Sequence, residues 1–227
     1  MNIDVIIPAY NEEDAIAKVV KALCKNLLRE IVVINNNSSD ATTQHAAAAG
    51  ATVLQEQRQG YGSACLKGIG YLTAKSRPPD IVLFIDADFS DYPEEAVFIL
   101  QPIIDGKADM VIGSRALGNK EKGSMTVPQL FGTWLATSLL RMIYKVRFTD
   151  LGPFRAIRFD KLLALDMKDT TYGWTVEMQL KAARQKLICI EVPVNYKKRI
   201  GVSKISGTVK GTILAGYKIL YTIFKYM

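Results

Sequence analysis

One stretch narrows the choice of fold more than any other. Ile81-Val82-Leu83-Phe84-Ile85 runs without a polar break into Asp86-Ala87-Asp88, and Asp91 follows shortly after. An apolar, β-branched run of that length reads as a strand buried on both faces, the environment of a parallel sheet covered by helices on either side. Side chains alternate along a strand, so Asp86 and Asp88 share a face only if the chain stays extended to its end. Two carboxylates at the mouth of an apolar strand repel each other and lose hydration. A hard divalent cation, Mg²⁺ or Mn²⁺, relieves both problems and usually takes phosphate oxygens as well. The alternative is an acidic turn that only caps the next helix. The C-terminal end of a strand is where open α/β sheets bind ligands, which favours the first reading.

The N-terminal half repeats the same alternation. Ile3–Pro8, Glu30–Asn36, Ala51–Leu54 and Asp109–Gly113 read as further short strands. Between them Ile16, Val19, Val20 and Leu23 recur at helical spacing, and helices are expected through Ala46–Ala49, from Gly60-Tyr61-Gly62 towards Leu72, and near Glu94–Ile104. Ser38 or Ser39 can cap the second of these. Strands alternating with helices predict a mostly parallel, doubly wound sheet with right-handed crossovers. Gly60-Tyr61-Gly62 does not make a dinucleotide loop, because Cys65 stands at the sixth position; no GxxxxGK[ST] exists either. The two glycines serve a tight turn.

Composition then excludes whole classes. With 227 residues, 49% hydrophobic and 22% charged, the chain can bury a real core in one domain. A balance of 29 Lys+Arg against 22 Asp+Glu, net +7, favours phosphorylated or lipid partners. No basic block with interleaved aromatics marks a nucleic-acid surface. Cys24, Cys65 and Cys189 are scattered and odd in number, as expected for buried thiols in a reducing compartment. The opening MNIDVIIPAYNEE has no basic stretch before its apolar run and is not expected to be a signal peptide. His45, the one histidine, falls on a helix expected to be exposed, which nearly excludes a histidine base or histidine metal ligands.

The second half changes character. Gln129–Tyr144 reads as a long apolar helix ending near Arg141 and Lys145. Asp150, Gly152, Pro153 and Arg155 crowd together, Tyr172-Gly173-Trp174 precedes a helix carrying Glu177, and Leu187–Val194 is a strand. A final helix spans Thr208–Tyr226, with Val209, Ile213, Tyr217, Leu220 and Phe224 at helical spacing. Its Lys210, Lys218 and Lys225 fall within about 80° of one another at ~100° per residue. A membrane span needs ~20 predominantly apolar residues, and these lysines break the run. The stripe suits either a helix lying on anionic lipid or one packed on the core with solvated lysines.

Taken in order, Pro8-Ala9-Tyr10-Asn11-Glu12, the Asn/Ser/Asp loop at 35–40, Asp86-Ala87-Asp88 and Gly113-Ser114-Arg115 resemble the family 2 glycosyltransferases of the GT-A fold. Asp150-Leu151-Gly152-Pro153-Phe154-Arg155, Gly173-Trp174-Thr175-Val176-Glu177-Met178 and Arg199-x-Gly-x-Ser203-Lys204 are similar to the dolichol-phosphate mannose synthase and polyprenyl-phosphate glycosyltransferase branch. The resemblance implies a GT-A catalytic domain over 1–204 and an amphipathic helix, interfacial to a membrane, over 205–227. It implies a nucleotide-sugar donor cradled by Pro8, Tyr10, Glu12, Asn36, Asp86, Ala87 and Asp88, with Asp86 and Asp88 on Mg²⁺ or Mn²⁺. Asn36 matches an Asp that usually accepts from the base, and Ser90 stands where a Gln is common. The third metal ligand is therefore open, Asp91 being one choice and a helix-capping role its alternative.

Arg115, Arg155, Arg199, Ser203 and Lys204 match phosphate- and acceptor-binding positions. Asp88, Arg115 and Asp150 are the candidates for catalysis, Asp150 as acceptor-orienting group, base, or structural partner of an arginine. The branch inverts by single displacement, so no covalent nucleophile is expected. A phosphate-monoester acceptor, with its second pKa near ~6, needs no strong base. The implied acceptor is polyprenyl phosphate, met at the cytoplasmic face of a membrane by a peripheral protein or with a membrane partner, and Trp134 and Tyr217 are candidate aromatic anchors. Transfer to a soluble or glycan acceptor, a non-catalytic nucleotide-sugar-binding subunit, and a nucleotidyltransferase are the alternatives.

Overall fold

The computed structural model describes residues 1–201 and 209–226. Seven strands form one sheet: β1 (Ile3–Ala9), β2 (Glu30–Asn35), β3 (Thr52–Gln55), β4 (Ile81–Phe84), β5 (Met110–Ser114), β6 (Arg155–Arg158) and β7 (Cys189–Pro193). Their order is β3-β2-β1-β4-β6-β5-β7. All neighbours are parallel except β6, which runs antiparallel to both β4 and β5. Sequence pattern misses β6 because its four residues, RAIR, carry no apolar run.

Strand alternation decides which helix covers which face. Val5, Ile7, Val33 and Leu83 point to a layer made by α1 (Ile16–Ala22), α2 (Thr42–Ala48) and α4 (Ala96–Ile104). Ile6, Val32, Ile34, Val82 and Phe84 point to the other layer. That second layer holds α3 (Tyr61–Thr73), α5 (Val127–Tyr144), α6 (Phe159–Ala164), α7 (Trp174–Arg184) and α8 (Val209–Lys225). Trp174, fully buried, packs its ring 6.2 Å from that of Phe84.

Several boundaries differ from the sequence reading for local reasons. Neither Ser38 nor Ser39 caps α2: Asp40 Oδ1 accepts from Thr42 N at 3.0 Å, while Ser38 Oγ accepts from Asn11 N at 2.9 Å. The β4 strand stops at Phe84, so Asp86 and Asp88 stand in a turn with Phe89 at φ 60°. That turn, and not the pleat of an extended strand, sets their directions. Cys65 is buried as expected, but Cys24 and Cys189 are half-buried. The expected domain division at 204 and the candidates Ser203 and Lys204 lie outside the described residues.

The last helix packs and exposes at once. Its Thr222 and Ile223 are buried, whereas Leu214, Tyr217, Tyr221 and Phe224 are exposed. Tyr144 Oη donates to Ile223 O at 3.1 Å, tying α8 to α5, and Tyr226 Oη donates to the buried Glu177 of α7 at 2.6 Å. One side of the helix packs on the core, where Lys218 pairs with Asp169 Oδ2 at 3.0 Å, and the other is exposed.

Candidate active site

The chain order β2-β1-β4 places the start of the sheet's reversal at the carboxyl ends of β1 and β4, the crevice in which open α/β sheets hold ligands. Three loops meet there: that after β1, that after β2 and the Asp86–Asp91 turn. They enclose a cleft of about 370 Å³ lined by Pro8, Ala9, Tyr10, Glu12, Asn36, Gln59, Gly60, Tyr61, Asp86, Ala87, Asp88, Tyr172 and Arg199. Its size lies within the ~300–1,000 Å³ of small-ligand sites. Every residue expected on the donor lines it. Pro8 is tolerated in a central strand because β1 pairs with β4 only as far as Ile6.

The loops lock one another. Thr42 Oγ1 accepts from Glu12 N at 2.8 Å, and Asn11 Oδ1 accepts from Ser39 N at 2.9 Å. Asn36 is spent on its own neighbourhood: Oδ1 accepts from Gly60 N at 2.7 Å, and Nδ2 donates to Glu56 O and Arg58 O at 3.1 and 2.8 Å. The amide is needed for this, since a carboxylate would face two carbonyls with no proton to offer. Gln59, Gly60, Tyr61 and Tyr172 escape sequence reasoning because a separate turn brings them in. A Cβ on Gly60 or Gly62 would fall 2.2 or 2.0 Å from the carbonyl oxygens of Thr170 and Asp169, so these glycines let the Tyr172 loop close against α3.

The acidic pair fits a hard divalent ion. Burial and the neighbouring Asp88 push the Asp86 carboxyl up to about 7, and its Oδ1 is buried with no hydrogen-bond partner. Asp88 Oδ1 accepts from Ser90 N and Oγ at 2.9 and 2.5 Å, leaving Oδ2 directed at Arg199. Among the described residues no three His, Cys, Asp or Glu side chains converge on one point. Asp91 therefore does not complete a protein cage; it is buried with both oxygens unpartnered and its carboxyl raised by burial. Nor does it cap the following 3-10 turn, which has no side-chain cap. Two carboxylates with the remaining positions left to water and phosphate is the pattern Mg²⁺ prefers.

Comparison with known proteins decides the family. The model for glycosyl transferase family 2 matches residues 4–165. The chain belongs to that family. An uncharacterised glycosyltransferase of Mycobacterium bovis is 33% identical over 220 residues, covering 94% of each chain. UDP-N-acetylglucosamine–dolichyl-phosphate N-acetylglucosaminyltransferase of Methanococcus voltae is 32% identical, covering 96% of this chain and 93% of that one. An undecaprenyl-phosphate mannosyltransferase of Micrococcus luteus is 30% identical over 159 residues, covering 68% of this chain and 64% of its own. Among solved structures, glucosyl-3-phosphoglycerate synthase of Mycobacterium tuberculosis with Mn²⁺, UDP and phosphoglyceric acid superposes with a TM-score of 0.78 at 22% identity, covering 99% of this chain and 78% of that one. The fold is the GT-A fold.

In this glycosyltransferase the expected phosphate-binding groups occupy different depths. Arg199 lines the cleft, reaching Glu12 Oε1 at 2.6 Å and Asp88 Oδ2 at 3.2 Å. Arg115 does not line the cleft and is held in a buried bidentate pair, Nε and Nη2 each donating to Asp150 at 2.7 Å, with its guanidinium 5.0 Å over the Tyr196 ring. Asp150 accepts further from Arg115 N and Leu151 N. Against its burial, the Arg115 charge and these bonds hold the Asp150 carboxyl below its ordinary value. Such a carboxylate is a poor base and a good anchor. Arg155 is 1% exposed, and its guanidinium donates to the carbonyls of Leu151, Gly152 and Thr175. It braces the 150–155 loop from inside and does not line the cleft, because β6, lying between β4 and β5, sets it beside Phe84 and Ile112 with its guanidinium turned to those carbonyls.

Proposed function

We propose that this family 2 enzyme transfers a hexose, with inversion, from a nucleotide diphosphate sugar to polyprenyl phosphate at the cytoplasmic face of a membrane. The observation that carries the acceptor assignment is the apolar surface of two neighbouring helices. On α5, Val127, Phe131, Trp134 and Met142 are exposed while Ala136, Thr137 and Leu140 are buried. On α8, Leu214, Tyr217, Tyr221 and Phe224 form a second exposed row. No helix among the described residues is long and apolar enough to cross a membrane. Rows of this kind, with lysines beside them, suit a peripheral protein on anionic lipid or against a membrane partner. Two relatives of at least 30% identity act on undecaprenyl or dolichyl phosphate by name, which supports the same acceptor class.

Asp86 and Asp88 would hold Mg²⁺ or Mn²⁺, which supplies charge neutralisation at the departing diphosphate. Arg199 adds a bidentate guanidinium beside it. Pro8, Tyr10, Gly60 and Tyr61 shape the nucleoside end, with Asn36 fixing the loop that carries Gly60. Arg115 keeps its charge behind the turn because Asp150 anchors it; we assign Asp150 to positioning Arg115. The acceptor monoester is largely dianionic at neutral pH, so it attacks the sugar carbon without a protein base. The nucleotide diphosphate leaves from the opposite face.

The test is transfer of labelled sugar from a panel including UDP-glucose and GDP-mannose into the organic phase, with polyprenyl phosphate, Mn²⁺ and Asp88→Ala as control. Lipid labelling from one donor, lost in the variant, is expected. Nucleotide release with no lipid labelling would move the acceptor to a soluble or glycan molecule.

A further inference from the structure

The loop that follows β7 crosses the Asp86–Asp91 turn as a strap. Asn195 is clamped to Glu95 through N and Nδ2 at 2.8 and 2.5 Å. Lys197 N donates to Ser90 O at 2.9 Å, and Ile200 N donates to Asp88 O at 3.0 Å. Lys197 Nζ stands 3.4 Å from the Phe89 ring centroid and 4.4 Å from that of Tyr92. These contacts leave Arg199 little choice of position. Its guanidinium spans the cleft from Glu12 on the β1 side to Asp88 on the other, and its Nε is buried without a partner among the described residues. Asp88 Oδ1 is already committed to Ser90, so Oδ2, the oxygen Arg199 touches, is the one left for a cation.

We infer that Arg199 is a built-in counter-cation that competes with the divalent ion for Asp88 and exchanges onto the donor diphosphate when donor and metal enter together. The inference rests on the metal-dependent reading of the cleft above. A guanidinium and a metal ion cannot share one carboxylate oxygen at contact distance without like-charge repulsion. Phosphate offers the guanidinium a bidentate partner of at least equal strength. The exchange makes metal binding weak alone and strong with nucleotide, a positive coupling between the two ligands.

Mn²⁺ binding to the purified protein, measured by paramagnetic resonance of the free ion first without nucleotide and then with UDP or GDP, reads this directly. Arg199→Ala should tighten Mn²⁺ alone by roughly threefold to fivefold, the upper part of the range open to a partly exposed ion pair. The same variant should weaken nucleoside diphosphate binding at saturating Mn²⁺, and Arg199→Lys should fall between, its single ammonium unable to span both carboxylates. Lys198→Ala removes an equal charge from the exposed side of the strap and should leave both affinities within about twofold. Unchanged or weaker Mn²⁺ binding in Arg199→Ala, beside intact wild-type binding of the Mn²⁺–nucleotide pair, would overturn the competition and spare the transferase reading. Equal tightening by Lys198→Ala would overturn it too, reducing the effect to net charge. Failure of the wild-type protein to bind Mn²⁺ even with nucleotide would overturn both.

Discussion

Asp150 and Arg115 show what single residues contribute here. Each is nearly enclosed, and removing one partner of such a pair strands the other charge at a cost of about 3–5 kcal/mol. Asp150→Asn should therefore lower unfolding free energy at pH 7 by that order, read from denaturant midpoints. The sign with pH follows from the depressed carboxyl. Its stabilisation is complete above the unfolded value of ~3.9 and is lost as pH falls through the lower folded value. The gap between wild type and variant should thus close in acid, below about pH 4; a gap that stays constant to pH 2 would mean the pair carries no linkage. Asn36 supplies a second case. Asn36→Asp places a carboxylate against the carbonyls of Glu56 and Arg58. It should loosen the 56–60 loop and weaken nucleotide binding by roughly tenfold, the loss of one or two hydrogen bonds. Titration calorimetry with a nucleoside diphosphate would show it, and unchanged affinity would mean the loop does not shape the nucleoside end.

At the scale of elements, close approach and anchoring govern the cleft. Within a helix alanine outperforms glycine by up to ~1 kcal/mol, yet a Cβ at Gly62 would fall 2.0 Å from Asp169 O, a backbone atom that cannot rotate away. The clash wins, by the ~1–3 kcal/mol typical of overpacking. Gly62→Ala should lower stability and nucleotide affinity together, and a variant more stable than wild type would show that the 169–172 loop gives way freely. The anchor of α8 is Glu177, which accepts from Lys168 N, Asp169 N and Tyr226 Oη and pairs with Lys181 Nζ at 2.7 Å. Tyr226→Phe should cost about 1.5–3 kcal/mol, the worth of a hydrogen bond to a charged group. Hydrogen exchange would place the loss in α8, and protection unchanged along that helix would shift the anchoring to its apolar contacts.

For the molecule as a whole, a net charge of +7 and exposed rows on α5 and α8 give one surface prediction. Vesicles with anionic lipid should co-sediment the protein, less so as salt shortens the Debye length below ~8 Å. The double variant Trp134→Ser/Tyr217→Ser should lose most of that binding while keeping its melting temperature, since Trp134 and Tyr217 are 61% and 66% exposed. A protein that remains in the supernatant at every lipid composition would leave these rows to a protein partner.

Much of this architecture was written locally. Apolar runs such as Ile3–Pro8 and Ile81–Ile85, with helical spacing between them, determined the parallel sheet and the loops at its carboxyl edge, because burial on two faces demands uniform side chains. Asp86 and Asp88 were legible for the same reason, since they follow directly on an apolar run, whereas Pro8, Tyr10, Glu12 and Asn36 were marked only by the family resemblance. Only the tertiary structure decided the rest. The antiparallel β6 has no hydrophobic pattern, and its placement took Arg155 out of the cleft and onto the carbonyls of its own loop and of Thr175 in α7. Asp150 met Arg115 across 35 positions, and Arg199 met Glu12 across 187. Charges that far apart carry no local signal of which opposite charge they will face, since packing of distant elements, and not propensity, brings them together.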